Sequence, residues 1–237
     1  RHDGKNFFVW YAGHQDLAYF QFVQHRSTKE AQDLLGEHFG GTLVADAYAS
    51  YNGTHPRARQ SCLSHLIRKA KELDQTLALL PHQFKDPPAR SLCQKSADLF
   101  SRACHAGHLF HRGELSARQA LAREKEFRLE LDTLCRKTLR HPTAESFRQR
   151  LIGPEQALFF TFLREPNVPP TNNQAEQSLR PIVIMRKIIQ CTRGKAGLQN
   201  HSVLHTLIHT ARRQGRAVRQ FLETLLTQET ATAQAAL

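Results

Sequence analysis

At 237 residues, with 40% hydrophobic and 23% charged side chains, the chain has the composition of a globular protein big enough for one large domain or two modest ones. It contains no run of 18 apolar residues, which excludes a helical membrane span. Its formal net charge of +12 and pI near 9.9 call for an anionic partner, and nucleic acid is the commonest.

The chain opens on Arg1 and runs almost at once into a strand-like segment, as expected of a piece of a longer protein. Residues Asn6 to Tyr11 and Leu17 to Val23 are rich in Phe, Val, Tyr and Trp and read as strands, with a turn at Ala12 to Asp16. Ser27, followed three residues later by Glu30, has the form of a capping box. A helix to about His38 is expected, ended by Gly40 and Gly41. The apolar run Thr42 to Ala45 is a third strand, and it stops at Asp46.

From Leu63 to Leu163 the pattern turns helical. Leu63, Leu66, Ile67 and Ala70 recur at helical spacing, and Glu114 to Leu139 is a charged, leucine-striped helix. Pro81, Pro87, Pro88, Pro142 and Pro154 divide this region into helices. A polar loop from Asn167 to Asn173 leads to a short helix around Glu176, an apolar stretch from Ile182 to Cys191, and a loop at Arg193 to Gly197. Two amphipathic helices close the chain, Leu198 to Arg213 and Arg216 to Leu226, with a frayed tail from Thr227.

Basic residues concentrate late in the chain. Between Gln177 and Leu222 there is no Asp or Glu, while Arg180, Arg186, Lys187, Arg193, Lys195, Arg212, Arg213, Arg216 and Arg219 fall in that window. A solvated basic face is the plain alternative, but such faces interleave both signs, so contact with nucleic-acid phosphates is the better reading. Five scattered cysteines (Cys62, Cys93, Cys104, Cys135, Cys191) form neither a disulfide framework nor a paired zinc pattern, which fits a reducing cytoplasm.

Transfer or cleavage of a phosphodiester requires an activated nucleophile and a stabilised leaving oxygen. Two divalent metals about 4 Å apart supply both, held by carboxylates because Mg²⁺ prefers hard oxygen ligands. Asp46, directly after an apolar strand, is placed for such a role; an Asp capping a turn is the competing account. Glu176 shares a helical face with Asn172, Asn173 and Arg180, and here the competing account is an exposed Glu–Arg pair. Cys62 and His65 are half a zinc pattern with no second half. Cys104, His108 and His111 share a helix face near Cys93, an alignment that fourteen histidines make easy by chance. Phe159, Phe160 and Phe162 read as core.

The residues Gly41 to Asn52 (GTLVADAYASYN) resemble the G-x-(L/V)-x-x-D-x-Y-x-x-Y signature of insertion-sequence-66 family transposases. Cys62 to Arg68 looks like that family's C-x-x-H-x-x-R motif, and Asn172 to Pro181 its N-N-x-A-E-x-x-x-R-P motif. The basic pair Arg186 and Lys187 matches just downstream, and Arg193 to Gly197 is similar to a later glycine-containing stretch. Thr171 departs from the pattern, since many members carry Asp there. The motifs follow in order at matching intervals across essentially the whole chain.

The resemblance implies an α/β protein: a ribonuclease H-like mixed sheet with a long all-helical insertion and C-terminal helices. Residues 1–62 would form the first part of the catalytic core, 63–166 the insertion, and 167–237 the rest of the core. Asp46 matches the family's second catalytic acid and Glu176 its third, both as metal ligands for two Mg²⁺ ions, with Mn²⁺ as a substitute. The first acid belongs to a strand upstream of the segment matching Arg1 to Lys5; Asp3 matches a turn position. Arg180, Arg186, Lys187, Arg193 and Lys195 would bind DNA, and Tyr48, Tyr51, His65, Arg68, Asn172 and Asn173 would support the site.

The implied protein cuts and joins double-stranded DNA at transposon ends and target. It would do so as a homo-oligomer on DNA with accessory transposition proteins, in the bacterial cytoplasm beside the nucleoid. The alternatives are a catalytically dead DNA-binding remnant lacking the first acid, and a helical module whose basic face meets acidic protein.

Overall fold

The structure, a computed structural model, describes residues 7–46, 49–189 and 195–227. Strands β1 (Phe8–Gly13) and β2 (Ala18–Val23) pair antiparallel, from Phe8 opposite Val23 to Gly13 opposite Ala18. The turn between them is closed by the His14 N–H, which donates to Leu17 O at 3.0 Å. Alternation along the hairpin puts Ala18 and Phe20 on one buried face with Tyr11 and leaves Tyr19 exposed on the other, where Trp10 is also buried.

Helix α1 (Thr28–Leu35) starts as its capping box predicts, with the Ser27 N–H donating to Glu30 Oε2 at 2.9 Å. It ends earlier than expected because Gly36 takes φ +79°, a left-handed turn that a side chain would strain. The residues from His38 therefore belong to strand β3 (His38–Ala45), including Gly40 and Gly41. β3 pairs in parallel with β4 (His55–Ser61), placing Ala45 opposite Ser61. The register slips between Phe39 and Thr42, at the two glycines. β4 reads His-Pro-Arg-Ala-Arg-Gln-Ser, and its proline and polar content conceal it from a hydrophobic pattern.

The three segments expected to be strands are strands, but the described strands form two two-stranded sheets rather than one mixed sheet. A short turn lets β1 and β2 pair at small entropic cost, whereas β3 takes its partner from residues 55–61.

The middle of the chain is helical as its periodicity predicts: α2 (Leu63–Ala78), α3 (Pro87–His111), α4 (Ala117–Leu134) and α5 (Pro142–Ile152). Pro87, Pro88 and Pro142 open helices, in positions where a missing N–H costs nothing. The Ser116–Gln119 capping box starts α4 at Ala117, so the helix is shorter than the stretch 114–139. Two short 3₁₀ turns follow, Pro154–Leu158 and Thr161–Leu163. Later, α6 (Asn173–Ile189) runs unbroken through Pro181, where a short helix and a separate apolar stretch were expected. Helices α7 (Lys195–Arg213) and α8 (Val218–Thr227) are separated at Gly215, φ +68°.

Packing divides the chain into two units: Arg1–Glu37 with Ser50–Thr54 and Asn173–Leu237, and His38–Ala49 with His55–Asn172. In the first, Ala18 and Phe20 of the hairpin close on Ile182 of α6, flanked by Tyr11, Leu179 and Met185. The edge of β2 is covered by α7 through hydroxyls rather than by another strand. The N–H groups of Ala18, Phe20 and Phe22 donate to Thr210 Oγ1, Thr206 Oγ1 and Ser202 Oγ at 3.2, 3.0 and 3.1 Å. In the second unit a single apolar core joins α2 to α5 with Phe159, Phe160, Phe162 and Leu163, all four of which are inaccessible to within 1%. The phenylalanines are thus core, as read from the sequence. Among the described residues no helix is long and apolar enough to cross a membrane.

Candidate active site

Asp46 follows the last residue of β3 and is half-buried. β4 ends beside it, and the next residue, Cys62, donates its backbone N–H to Ala45 O at 2.9 Å. Cys62 is buried and sits at the N-cap of α2. The carboxyl ends of two parallel strands, the position where open α/β sheets place functional groups, thus carry Asp46 and the start of a helix.

A distant segment is tied to the same place. Cys62 Sγ accepts the backbone N–H of Asn172 at 3.2 Å, and Leu63 N–H donates to Pro170 O at 3.0 Å. Ser64 Oγ lies 2.9 Å from the same sulfur. The thiol therefore serves as a hydrogen-bond hub, a role that its C-x-x-H spacing does not announce. Asn172 Oδ1 is buried with no hydrogen-bond partner among the described residues. His65 is half-buried and Arg68 exposed, one turn apart on α2.

β4 is braced on its other side. Buried Gln60 donates to Phe159 O at 3.0 Å and accepts the Phe162 N–H at 3.2 Å, while Thr161 Oγ1 donates to Arg59 O at 2.6 Å. Near the middle of β3, Glu165 accepts from Thr42 Oγ1 at 2.6 Å and from Arg57 at 2.7 Å. The Arg57 guanidinium, then the Thr42 hydroxyl, hold the Glu165 carboxyl below its usual range. Neither Gln60 nor Glu165 stands out in the sequence, because neither sits in a motif.

Glu176 belongs to the other unit, in the first turn of α6, where a carboxylate complements the helix dipole. It is exposed, as are Asn173 at the head of the helix and Arg180 one turn on. Lys187 is exposed further along α6; Arg186 lies in the same helix, and Lys195 opens α7. Tyr48 and Arg193 fall outside the described residues. Tyr51 packs its ring edge-on against Trp10, centroids 5.6 Å apart.

The basic window is not uniform. Arg213 turns inward: it donates to the carbonyls of His14 and Leu17, to the Tyr11 hydroxyl, and to Ser178 Oγ. Arg219 pairs with Glu223 at 2.8 Å. Arg180, Lys187 and Arg212 remain exposed cations.

Asp46 at the strand end and Glu176 at the helix start each carry a carboxylate, the kind of donor that suits a hard cation such as Mg²⁺ or Mn²⁺. Among the described residues no group of three His, Cys, Asp or Glu side chains forms a metal cluster.

The family model described as Transposase IS66 family matches residues 1–200. No curated protein matches the chain, and no solved structure does.

Proposed function

The chain belongs to the IS66 family of transposases, and from that premise we propose that it carries out metal-dependent cleavage and strand transfer of DNA at transposon ends. The observation that carries the reading is the Cys62 junction. It ties Ala45, the residue before Asp46, to Asn172, the residue before the helix of Glu176. Asn172, the first residue of the family motif that contains Glu176, is thus joined through Cys62 to the strand end that precedes Asp46.

In this reading Asp46 and Glu176 hold the metal. Mg²⁺ bound there would activate the attacking oxygen and stabilise the leaving one. The chain's own residues do the rest. Asn172 and Asn173 present amides near the acid-bearing turn, and His65 and Arg68 line the first turns of α2. Tyr48 and Tyr51 support the segment after β3. Arg180, Arg186, Lys187, Arg193 and Lys195 neutralise phosphates and hold the duplex in register without reading bases. Residues 1–62 and 167–237 form a ribonuclease H-like core interrupted by the helical insertion 63–166. Two metal ions, a homo-oligomer on DNA and accessory transposition proteins complete the proposal.

The test is Asp46→Asn and Glu176→Gln in a strand-cleavage assay with Mg²⁺ or Mn²⁺, alongside duplex binding and Mn²⁺ binding by paramagnetic resonance. Each variant is expected to lose cleavage by a factor of a hundred or more, on the order of 3 kcal/mol of barrier, and to bind Mn²⁺ more weakly while keeping DNA affinity. Cleavage at the unsubstituted rate in either variant would remove that acid from the site. Unsubstituted protein that binds DNA but never cuts it would favour a binding remnant.

A further inference from the structure

The segment between α4 and α5, residues 135–141, is held with unusual care for a surface loop. Asp86 is 5% exposed, and its carboxylate accepts three backbone N–H groups: Ala89 at 3.1 Å, and Arg140 and His141 at 3.0 Å each. Glu145 accepts the Leu139 N–H at 2.9 Å. Arg148, also 5% exposed, donates to Cys135 O at 2.7 Å and forks onto Glu145 at 2.8 and 2.6 Å. The backbone is therefore fixed at both ends by buried charged groups that are themselves satisfied.

The side chains of this loop do the opposite. Arg136, Lys137 and Arg140 are exposed and have no ion-pair partner among the described residues. Lys85 joins them, exposed and next to Asp86, whose carboxylate holds the Arg140 amide. The nearby acids are engaged elsewhere: Asp132 accepts from Gln156 at 2.6 Å, and Glu145 is forked by Arg148. Three cations on a pinned backbone, with Lys85 beside them, form an anion-facing surface whose backbone has little ordering entropy left to lose on binding.

We propose that the loop 135–141 with Lys85 is a second contact surface for duplex DNA, gripping the phosphate backbone from the helical insertion. Arg136 to Arg140 covers at most about 14 Å of extended chain, enough to face several phosphates at about 3.4 Å of axial rise per strand. The proposal rests on the transposase reading for the identity of the anion. A rival use of Arg136 and Lys137 is local, as cations complementing the C-terminal dipole of α4.

The experiment measures binding of the full chain to two unrelated duplexes over a salt series. It compares the unsubstituted protein with the triple variant Arg136→Gln, Lys137→Gln, Arg140→Gln and with the pair Arg186→Gln, Lys187→Gln. Each phosphate contact contributes about 0.9 to the slope of log K against log salt, so the triple variant should flatten it by about 2 to 3, equally on both sequences. Arg136→Lys with Arg140→Lys should keep the slope. Lys85 and Lys137 should be protected from acetylation by bound duplex in the unsubstituted protein, a readout that stands even where the triple variant folds poorly. A slope unchanged in the triple variant but flattened in the Arg186 and Lys187 pair overturns the second surface and leaves the transposase reading intact. No salt-dependent duplex binding by the unsubstituted chain overturns both. A lowered melting midpoint with an unchanged slope assigns the cations to the helix dipole alone.

Discussion

Asp86 shows how one buried side chain organises distant backbone. Its carboxylate caps α3 through Ala89 and fixes the entry to α5 through Arg140 and His141. Asp86→Ala leaves three N–H groups without an acceptor, and at about 1–3 kcal/mol per buried unsatisfied group the cost should be about 3 kcal/mol or more. Chemical denaturation should show a lower midpoint at an unchanged m-value; a midpoint within error of the parent would mean water replaces the carboxylate freely. Glu124 is a second such residue. Burial pushes its carboxyl up, and the Arg164 and Arg128 guanidinium groups more than offset that, so it stays ionised while clamping both arginines.

At the scale of elements, α7 is fitted to β2 by two interleaved rows. Ser202, Thr206 and Thr210 face the strand's N–H groups, and Thr210 also donates back to Ala18 O at 3.1 Å. His201, His205 and His209 run alongside, with the rings of His205 and His209 at 5.8 and 4.8 Å from Phe20. The hydroxyls protect an edge that would otherwise invite another strand. Thr210→Val keeps the shape but orphans a buried donor and a buried acceptor at Ala18, so it should cost about 2 kcal/mol. Thermal unfolding should reveal the loss, and amide exchange at Ala18 should accelerate; native protection at Ala18 would refute the ladder.

The histidines give the same contact a pH dependence. Burial lowers His205, helped by His209 and His201; burial also lowers His209, helped by Arg212 and Arg213. Both folded-state values lie below the ordinary 6.5, so the neutral forms are favoured and the contact is fully stable above about pH 6.5. Stability should fall as pH drops below 6.5, because the unfolded chain takes up protons there first. Melting midpoints at pH 7.5 and 5.5 should differ in that direction, and His205→Gln with His209→Gln should shrink the difference. An equal pH effect in that variant would place its origin elsewhere.

On the scale of the whole molecule, the chain passes between its two units several times, yet most of one unit is a single stretch, His55–Asn172. Among the described residues its core draws on those from Leu63 to Val168, without help from β1, β2 or α6 to α8. A fragment of residues 55–172 should therefore fold alone as a cooperative helical bundle, with β4 frayed for want of β3. Circular dichroism and a two-state melt would check this, and a non-cooperative melt would show that the bundle needs the rest of the chain.

By itself the sequence determined what depends on neighbours within a turn or two: the hairpin from alternating aromatics, α1 from its capping box, the helical middle from its apolar spacing, and Asp46 at a strand end. The motifs of Asp46 and Glu176 were also legible, since residue types at fixed local spacing survive without a fold. Tertiary structure alone decided the rest. β4 is strand because β3 offers it a ladder, despite its proline and arginines. α6 continues past Pro181 with its buried face, Leu179, Ile182 and Met185, packed on the hairpin. Arg213 belongs to a basic run, but hydrogen bonds to the hairpin turn draw it inward. Cys62 became a hub only when Asn172, 110 residues away, came within reach of its sulfur. Such contacts join groups far apart in sequence, so only packing, which weighs burial and hydrogen bonding over the whole chain, can select them.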